Sequence, residues 1–414
     1  MLRILAVAAL AALPVLSAAA DGPAFTLSAL REAARAGHPA LAAARAQVEG
    51  GRAQVTTAAA YPNPEVEVLA GRTRARLPGV NAGAVVSVAV TQRVDVPWQR
   101  DARIDAAGHG LTALEAGRRG VENELLARLD QRFYELLRRE AEVRAAREDR
   151  QLTEQIRSRV AVRVETGEAP RYELFKADTE LLNARKTEDS ASLRVEQARA
   201  ALRALVGPAL PARFSVIGSL GDRAAVATLD ALRDAVMSGN PDLARLRAEV
   251  ARAARQLDLE RLRRQPELAV KVADERDSEL RDTRVGLVVS VPLWDRRRGP
   301  VAEAAARLEA ARSELSAQEL AVQQALEGAW RQYEITLTQV IALENGILRE
   351  AEAALKVAEA AYRFGERGIL DYLDAQRVFR IARNELIAAR YDLQLAVIEI
   401  ERLRAAQPWS GATP

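Results

Sequence analysis

A heptad repeat near the C-terminus constrains this chain more than any other feature. Between residues 372 and 403, two apolar series each recur every seven positions and are offset by three, like the a and d positions of a coiled coil. A strict seven-residue period makes a helix wind left-handedly around a partner, whereas a helix in an ordinary bundle has a wider apolar stripe. The series are Tyr372, Phe379, Leu386, Leu393 and Ile400, and Ala375, Ala382, Ala389, Ala396 and Leu403.

The same seam occurs 198 residues earlier, which indicates an internal duplication. Residues 174–205 repeat both series, and only Glu188 interrupts them. Gly37-His38-Pro39 likewise returns as Gly239-Asn240-Pro241, shifted by 202. The expected organisation is a first repeat at 21–206, a linker rich in Pro and Gly at 207–228, a second repeat at 229–405 and a flexible tail at 406–414.

Each repeat also contains two stretches in which apolar residues alternate with other residues, and these are predicted strands. In both repeats the second stretch ends at a proline beside a tryptophan, Trp98 or Trp294. An alternating segment of about ten residues with an aromatic end is typical of outer-membrane strands. The alternative is a soluble hairpin that closes a helical domain. The predicted bounds are 65–76 and 84–97 in the first repeat and 267–275 and 284–292 in the second.

The remaining segments are predicted helices. In each repeat, an initial helix precedes the strands, and a long helix and a seam helix follow them. The initial helix of the first repeat is expected to run from Leu27 to about Ala60, where prolines stop it. The proline-free run from Pro97 to Pro170 predicts the first long helix, which ends near a Gly-containing break. The fold class is therefore mainly α with four strands per chain.

Composition excludes several functional classes. The chain has no cysteine and only two histidines, so no disulfide, thiolate site or resident transition-metal site is expected. Charges of both signs are interspersed, the net charge is +3 and aromatics make up 4%, which disfavours nucleic-acid binding. No nucleophile motif or phosphate loop is present. We therefore expect neither an enzyme nor a cofactor.

Residues 1–20 have the pattern of a secretory signal peptide. Arg3 precedes an apolar core, and three alanines form a small-residue cleavage site, so cleavage is expected after Ala20. A retained anchor is the alternative, although the apolar run is shorter than the ~20 residues of a spanning helix.

The most specific motif is Ala361–Gln376, followed by Ala382-Arg383, with a first-repeat counterpart at 163–169. With it, the chain resembles the outer-membrane efflux protein family, of which TolC is the best-known member. Tyr61–Glu65 and Ser290–Gly299 are most similar to the CzcC-type branch, which serves heavy-metal efflux. The resemblance implies a homotrimer whose chains together close a 12-stranded outer-membrane β-barrel, continued by a long periplasmic helical barrel.

The resemblance also implies a function and partners. The expected role is passive export of heavy-metal cations of the cobalt/zinc/cadmium or copper/silver class from a Gram-negative periplasm. The expected partners are a periplasmic adaptor, an inner-membrane RND pump and outer-membrane lipid. One alternative is an exit duct for drugs or for type I protein secretion. Another is a periplasmic coiled-coil adaptor, which would be soluble.

Four residues of the motif match family positions at the periplasmic end. Asp371 and Asp374 share a helix face and, by resemblance, would form an acidic ring at the aperture that selects for cations and against anions. The simpler alternative is that both acids stabilise the helix N-terminus. Arg367 and Tyr362 match positions that hold the tip closed; the alternative is an exposed arginine and a seam tyrosine.

Five further residues are assigned to the two ends of the molecule. Gly167, Gly365 and Gly368 are expected to permit the hairpin turns, and by resemblance these tips dock the adaptor. Trp98 and Trp294 are assigned to the membrane-interface belt. A buried packing role is the alternative for both tryptophans.

Overall fold

The structure is a computed structural model. The predicted signal peptide, its cleavage site after Ala20 and the tail at 406–414 lie outside the described residues. Most of the first strand-to-strand connection lies outside them as well. The described residues are 22–72, 74, 83–222, 226–277 and 279–405.

Each repeat has the predicted order of helix, two strands, long helix and seam helix. Among the described residues, no helix combines the length and apolar composition that a membrane crossing requires. The elements of the first half are β1 (Ala24–Thr26), α1 (Leu27–Gly37), α2 (Pro39–Ala59), β2 (Glu65–Arg72), β3 (Ala84–Arg93), α3 (Pro97–Glu165) and α4 (Arg171–Val206). Those of the second half are β4 (Ser215–Ile217), α5 (Leu229–Gly239), α6 (Pro241–Leu262), β5 (Glu267–Arg276), β6 (Arg281–Ser290), α7 (Arg298–Ala342), α8 (Leu348–Arg363) and α9 (Ile369–Arg404).

The structure differs locally from the sequence prediction at three places, and the first two differences have a physical cause in proline. The initial helix breaks at His38, which is extended (ψ 126°), because a residue before proline is excluded from the helical region. Strand β3 ends at Arg93 rather than at 97, since Pro97 is the first residue of α3. In the second repeat, a π-helical turn at Leu343–Ile347 separates α7 from α8.

The chain forms two compact units, and each takes segments from both repeats. The first unit comprises the described residues of 1–38, 128–222 and 339–394. The second comprises those of 39–127, 223–338 and 395–414. The duplicated halves are therefore intertwined rather than side by side.

The first unit contains most of both seam helices. Its apolar cluster joins α3, α4, α8 and α9, and Tyr372 at a heptad a position is fully buried there. Glu188, the residue that interrupts the first seam, accepts a hydrogen bond from Arg150 at 2.5 Å. Strands β1 and β4 form a small parallel sheet, so the predicted linker at 207–228 contains a strand that the sequence did not indicate.

The second unit contains a four-stranded antiparallel sheet in the order β2-β3-β5-β6. The hairpin of each repeat contributes two strands, and β3 pairs with β5 to join the repeats. An apolar cluster of α5, α6, α7 and the end of α9 lies in the same unit. Asn240 caps α6 by accepting from the backbone N–H groups of Asp242 and Leu243, and its Nδ2 donates to the Leu403 carbonyl at 3.0 Å.

Candidate functional site

One face of the four-stranded sheet, here called the apolar face, carries only uncharged residues along its middle. Its aliphatic side chains are exposed; Val66 is 66% exposed and Leu287 is 71% exposed. Charged residues occur on this face only next to the strand-to-strand turns, namely Arg72, Asp274, Arg276 and Arg281. Its apolar members are Val66, Val68, Ala70, Val86, Val88, Val90, Leu268, Val270, Val272, Val285, Leu287 and Val289.

The opposite face, here called the polar face, carries most of the charge of the sheet. Its small residues Ala89 and Ala269 are buried, while the charged side chains project from the strands around them. Alternation of apolar and polar residues between two sheet faces is the pattern of strands that separate lipid from water. The charged residues of the polar face are Glu65, Glu67, Arg93, Glu267, Lys271, Glu275, Asp282 and Arg284.

Each base on the polar face is paired with one acid. Arg93 lies 3.2 Å from Glu65, and Lys271 lies 3.0 Å from Glu67. Arg284 donates two hydrogen bonds to Asp282, one at 2.7 Å and one at 2.5 Å. The first two pairs join different strands, and cross-strand pairs of opposite charge stabilise the register of a sheet.

The sheet has two unpaired edges. Strands β2 and β6 each pair with only one neighbour among the described strands. Strand β6 has ten residues, most of them exposed on both sides of the strand. An edge of this length presents a row of backbone donors and acceptors that can pair with another chain.

The two tryptophans predicted for the membrane interface follow the strands directly. Trp98 is the second residue of α3; it is 51% exposed, and its Nε1 donates to Gln265 Oε1 at 2.9 Å. Trp294 follows β6 and is 93% exposed. Neither tryptophan is buried in the chain.

At the hairpin ends, two of the three predicted glycines have a left-handed backbone conformation. Gly167 and Gly365 have φ values of 78° and 77°, a region that residues other than glycine adopt only at an energetic cost. In both cases the next residue, Glu168 or Glu366, donates its backbone N–H to the carbonyl five residues earlier, which completes a Schellman motif. Gly368 does not have a positive φ, so its backbone does not require glycine.

The two predicted aperture acids are exposed, and each is paired within its own chain. Arg367 Nη1 lies 3.5 Å from Asp371 Oδ2. Arg377 donates to Asp374. The basic partners reduce the net charge that these carboxylates present to a passing ion.

Asp374 also lines a cavity of about 170 Å³ between α4 and α9. Lys176 and Arg380 line the same cavity, together with Glu180. The surroundings of Asp374 are therefore mixed in charge rather than acidic.

Tyr362 is buried inside the chain rather than exposed at the tip. It is 2% exposed, and its ring centroid lies 5.9 Å from that of Tyr372. The Arg163 guanidinium lies 5.1 Å from the Tyr362 ring centroid, as in a cation–π contact. Burial raises the pKa of the Tyr362 hydroxyl and raises that of Tyr372 to about 12. This packing favours a structural role for Tyr362 as a seam residue.

The sequence did not indicate a buried ion-pair cluster, here called the clamp, in which Arg383 of α9 binds Glu148, Asp149 and the Ala145 carbonyl of α3. Arg383 donates to Glu148 at 2.9 Å and to the Ala145 carbonyl at 2.7 Å, and it lies 2.7 Å from Asp149. Its side chain is only 15% exposed, and that of Asp149 is 10% exposed. Burial raises the pKa of Asp149, and Arg383 counteracts part of that rise. The signal in the sequence was an arginine directly after a small seam residue, Ala382, a few positions beyond the most specific motif.

The fold and the duplicated pattern agree with a known family. The model of the family described as outer membrane efflux protein matches residues 30–208 and again 232–406. The chain belongs to the outer membrane efflux protein family. The predicted resemblance is thereby confirmed, and members of this family are channel proteins rather than enzymes.

Among curated relatives of the family, the cobalt-zinc-cadmium resistance protein CzcC of Cupriavidus metallidurans is 26% identical over 392 residues. That match covers 94% of this chain and 92% of the relative. The match therefore extends along nearly the whole length of both chains.

Solved structures of this family share the fold. The outer-membrane channel OprN has a TM-score of 0.79 at 18% identity and covers 92% of this chain and 89% of its own. CusC, described in connection with transmembrane channel formation, has a TM-score of 0.76 at 18% identity, with 91% of each chain covered. VceC of Vibrio cholerae has a TM-score of 0.75 at 17% identity and covers 92% of this chain and 96% of its own. The TolC-type fold is therefore shown at the level of one chain.

Proposed function

We propose that three copies of this chain close a twelve-stranded β-barrel in the outer membrane of a Gram-negative bacterium. The observation that carries the proposal is the four-stranded sheet with one apolar face and two unpaired edges. Four strands are too few to close a barrel, and lipid cannot satisfy an open edge. Pairing β2 of one copy with β6 of the next removes every edge and turns the apolar face towards lipid.

Each chain then forms one third of the barrel, and each of its two sequence repeats supplies one hairpin to that third. Trp98 and Trp294 lie in the interface belt, where a ring contacts lipid and its N–H contacts headgroups or water. The high exposure of Trp294 supports this placement. The helices continue the barrel as a periplasmic duct, and transport is passive.

The hairpin ends are proposed to form the periplasmic tip. Asp371 and Asp374 line its aperture, and Arg367 contributes to its closure through the ion pair with Asp371. Tyr362 contributes from inside the hairpin by packing on Tyr372.

The turns at Gly167, Gly365 and Gly368 are proposed to dock a periplasmic adaptor, which connects the duct to an inner-membrane RND pump. Large apolar side chains beside the second of these turns are exposed; Phe364 is 78% exposed and Leu370 is 54% exposed. Exposed apolar residues around an otherwise charged hairpin are typical of a protein-binding surface.

The cargo is proposed to be heavy-metal cations. The support is the similarity to CzcC, a cobalt-zinc-cadmium resistance protein. The metal ion is cargo in a water-filled duct, so transport does not require a tight binding site. Charge along the duct is sufficient to favour cations.

Two measurements test this function. The purified mature protein, reconstituted in planar bilayers, is expected to produce stepwise conductance and to migrate as a trimer before heating. A deletion strain is expected to become sensitive to cobalt, zinc or cadmium and to recover with the wild-type gene. Sensitivity to organic drugs alone, or loss of a secreted polypeptide, would assign another cargo to the same channel. A soluble monomer without conductance would refute the channel itself.

A further inference from the structure

A cavity of about 660 Å³ lies against α3, α4 and β4 within the first compact unit. Cavities of this size bind small organic molecules in many proteins. Part of the wall is apolar, since the buried side chains of Val143, Val195 and Phe214 line it. The charged part of the wall has more base than acid, and none of its residues has a role in the proposed channel. These residues are the arginines Arg144, Arg147, Arg199 and Arg213 and the glutamates Glu140 and Glu196.

Two arginines of this wall, Arg144 and Arg213, have no ion-pair partner within 4.0 Å among the described residues. The other two arginines are paired: Arg199 donates to Glu196, and Arg147 lies 3.4 Å from an acid of α4. The surplus of positive charge is therefore concentrated in two guanidinium groups. The planar guanidinium matches the geometry of carboxylate and phosphate groups, to which it donates two parallel hydrogen bonds.

Arg199 also has a buried donor that the described part of the chain does not satisfy. Its side chain is 18% exposed, and its Nη1 donates to Glu196. Its Nε is buried and has no hydrogen-bond partner. Buried donors are nearly always paired in native proteins, because an unpaired donor has lost its hydrogen bonds to water. This N–H therefore points to an acceptor that the chain itself does not supply.

The second repeat differs at the equivalent place, and the difference supports a ligand. The shift of 198 residues between the two seam helices puts Gln394 and Val397 of α9 where α4 has Glu196 and Arg199. Gln394 donates its Nε2 to the backbone carbonyl of Asp222 at 2.6 Å, so a segment of the linker covers this place in the second repeat. The duplicated scaffold thus does not require charged residues here, yet the first repeat has them beside a cavity.

The backbone beside the cavity is held in place by close packing. A Cβ atom on Gly22 would lie 2.1 Å from the carbonyl oxygen of Arg213, so only glycine fits at this position. The backbone N–H of Ser215 donates to the Pro23 carbonyl at 3.2 Å. The chain at Arg213 is therefore positioned before any ligand binds.

We propose that this cavity binds a small organic anion through its phosphate or carboxylate groups. Arg144, Arg213 and the Nε of Arg199 donate hydrogen bonds to the anionic oxygens. The buried apolar side chains of the wall contact the carbon skeleton of the ligand. That the anion comes from the periplasm rests on the location proposed above, whereas the site itself does not depend on the channel.

Isothermal titration calorimetry of the purified mature protein in detergent tests the proposal, with inorganic phosphate and citrate as probes. The wild type is expected to bind at least one probe at millimolar concentration or below, measured against sodium chloride of equal ionic strength as the reference for screening. The variant Arg144→Gln with Arg213→Gln is expected to bind that probe about tenfold more weakly or not at all, because hydrogen bonds to charged groups are lost. The matched control is Arg312→Gln with Arg331→Gln, which also removes two exposed arginines per chain but from α7, outside the cavity. Its affinity is expected to equal that of the wild type.

The outcomes identify the anionic group and separate this inference from the proposed function. Binding of phosphate alone would support a phosphate-bearing ligand, and binding of citrate alone would support a carboxylate. No binding of either probe, or the same affinity in the cavity variant as in the wild type, would overturn the inference. Equal weakening in the control variant would indicate general charge attraction and would overturn it as well. Conductance is measured separately, so absence of binding with normal conductance leaves the channel intact. Arg213→Gln alone, at an exposed position, serves as the second variant if the double variant does not fold.

Discussion

Replacing Arg383 by methionine tests whether the buried clamp between α3 and α9 stabilises the fold. Methionine keeps much of the stem length of arginine but removes the guanidinium. The change leaves Asp149, whose side chain is 10% exposed, without its ion-pair partner at 2.7 Å. It also removes the hydrogen bonds to Glu148 and to the Ala145 carbonyl.

The expected cost follows from the burial of both groups. Removing one partner of a buried ion pair costs about 3–5 kcal/mol, because a charge remains buried without compensation. Replacing both partners, as in Arg383→Met with Asp149→Leu, is expected to recover most of that loss. The exposed pair of Arg377 and Asp374 is the control; Arg377→Met is expected to change the free energy of unfolding by no more than about 0.5 kcal/mol.

The cost of Arg383→Met is also expected to depend on pH. Burial raises the pKa of Asp149 above its ordinary value of 3.8, even with Arg383 present. The folded protein therefore takes up this proton at a higher pH than the unfolded chain, and stability from this group is gained as pH falls and lost as pH rises through the folded pKa. Without Arg383 the pKa rises further. The penalty should thus shrink as the pH is lowered from neutral towards the raised pKa of Asp149.

The assay is the midpoint of unfolding in guanidinium chloride, followed by circular dichroism at equal protein and detergent concentrations, because oligomers shift the midpoint with concentration. Arg383→Met should unfold at a clearly lower denaturant concentration than the wild type. An unchanged midpoint, or a double variant as unstable as the single one, would refute the reasoning.

Two further substitutions have matched controls within the chain. Gly365→Ala should destabilise by about 1–2 kcal/mol because alanine must adopt a φ of 77°, whereas Gly368→Ala should be neutral; equal midpoints in thermal unfolding would contradict this. Asn240→Ala should cost about 2 kcal/mol, since it removes both the cap of α6 and the bond to the Leu403 carbonyl. Thr228→Ala, at a helix start without a side-chain cap bond, should cost less, and the reverse order in the same assay would count against the capping argument.

The secondary structure was largely predictable because it rests on local patterns. Two-residue alternation indicates β5 and β6, and the seven-residue period indicates α9. The helix break at His38 was predictable in principle, since a residue before proline avoids the helical region, yet the apolar pattern continues across it.

What the sequence did not indicate depends on distant contacts. Strands β1 and β4 have three residues each, and their pairing partners are nearly two hundred positions apart. The junction of the two repeats becomes visible only with the register between β3 and β5. The pairing of Arg383 with Asp149 depends on how α9 packs against α3, and neither residue alone indicates its partner.

The barrel edges can be tested with introduced cysteines, because the chain has none of its own. Val68→Cys in β2 would be combined with a cysteine at 285, 287 or 289 in β6, all on the apolar face. Within one chain, β3 and β5 separate these positions by about 14 Å, beyond the ~7 Å limit of a disulfide. At least one pair is expected to give a covalent trimer under oxidation, which reduction converts to monomer. Monomer at every register would contradict closure of one barrel by three chains.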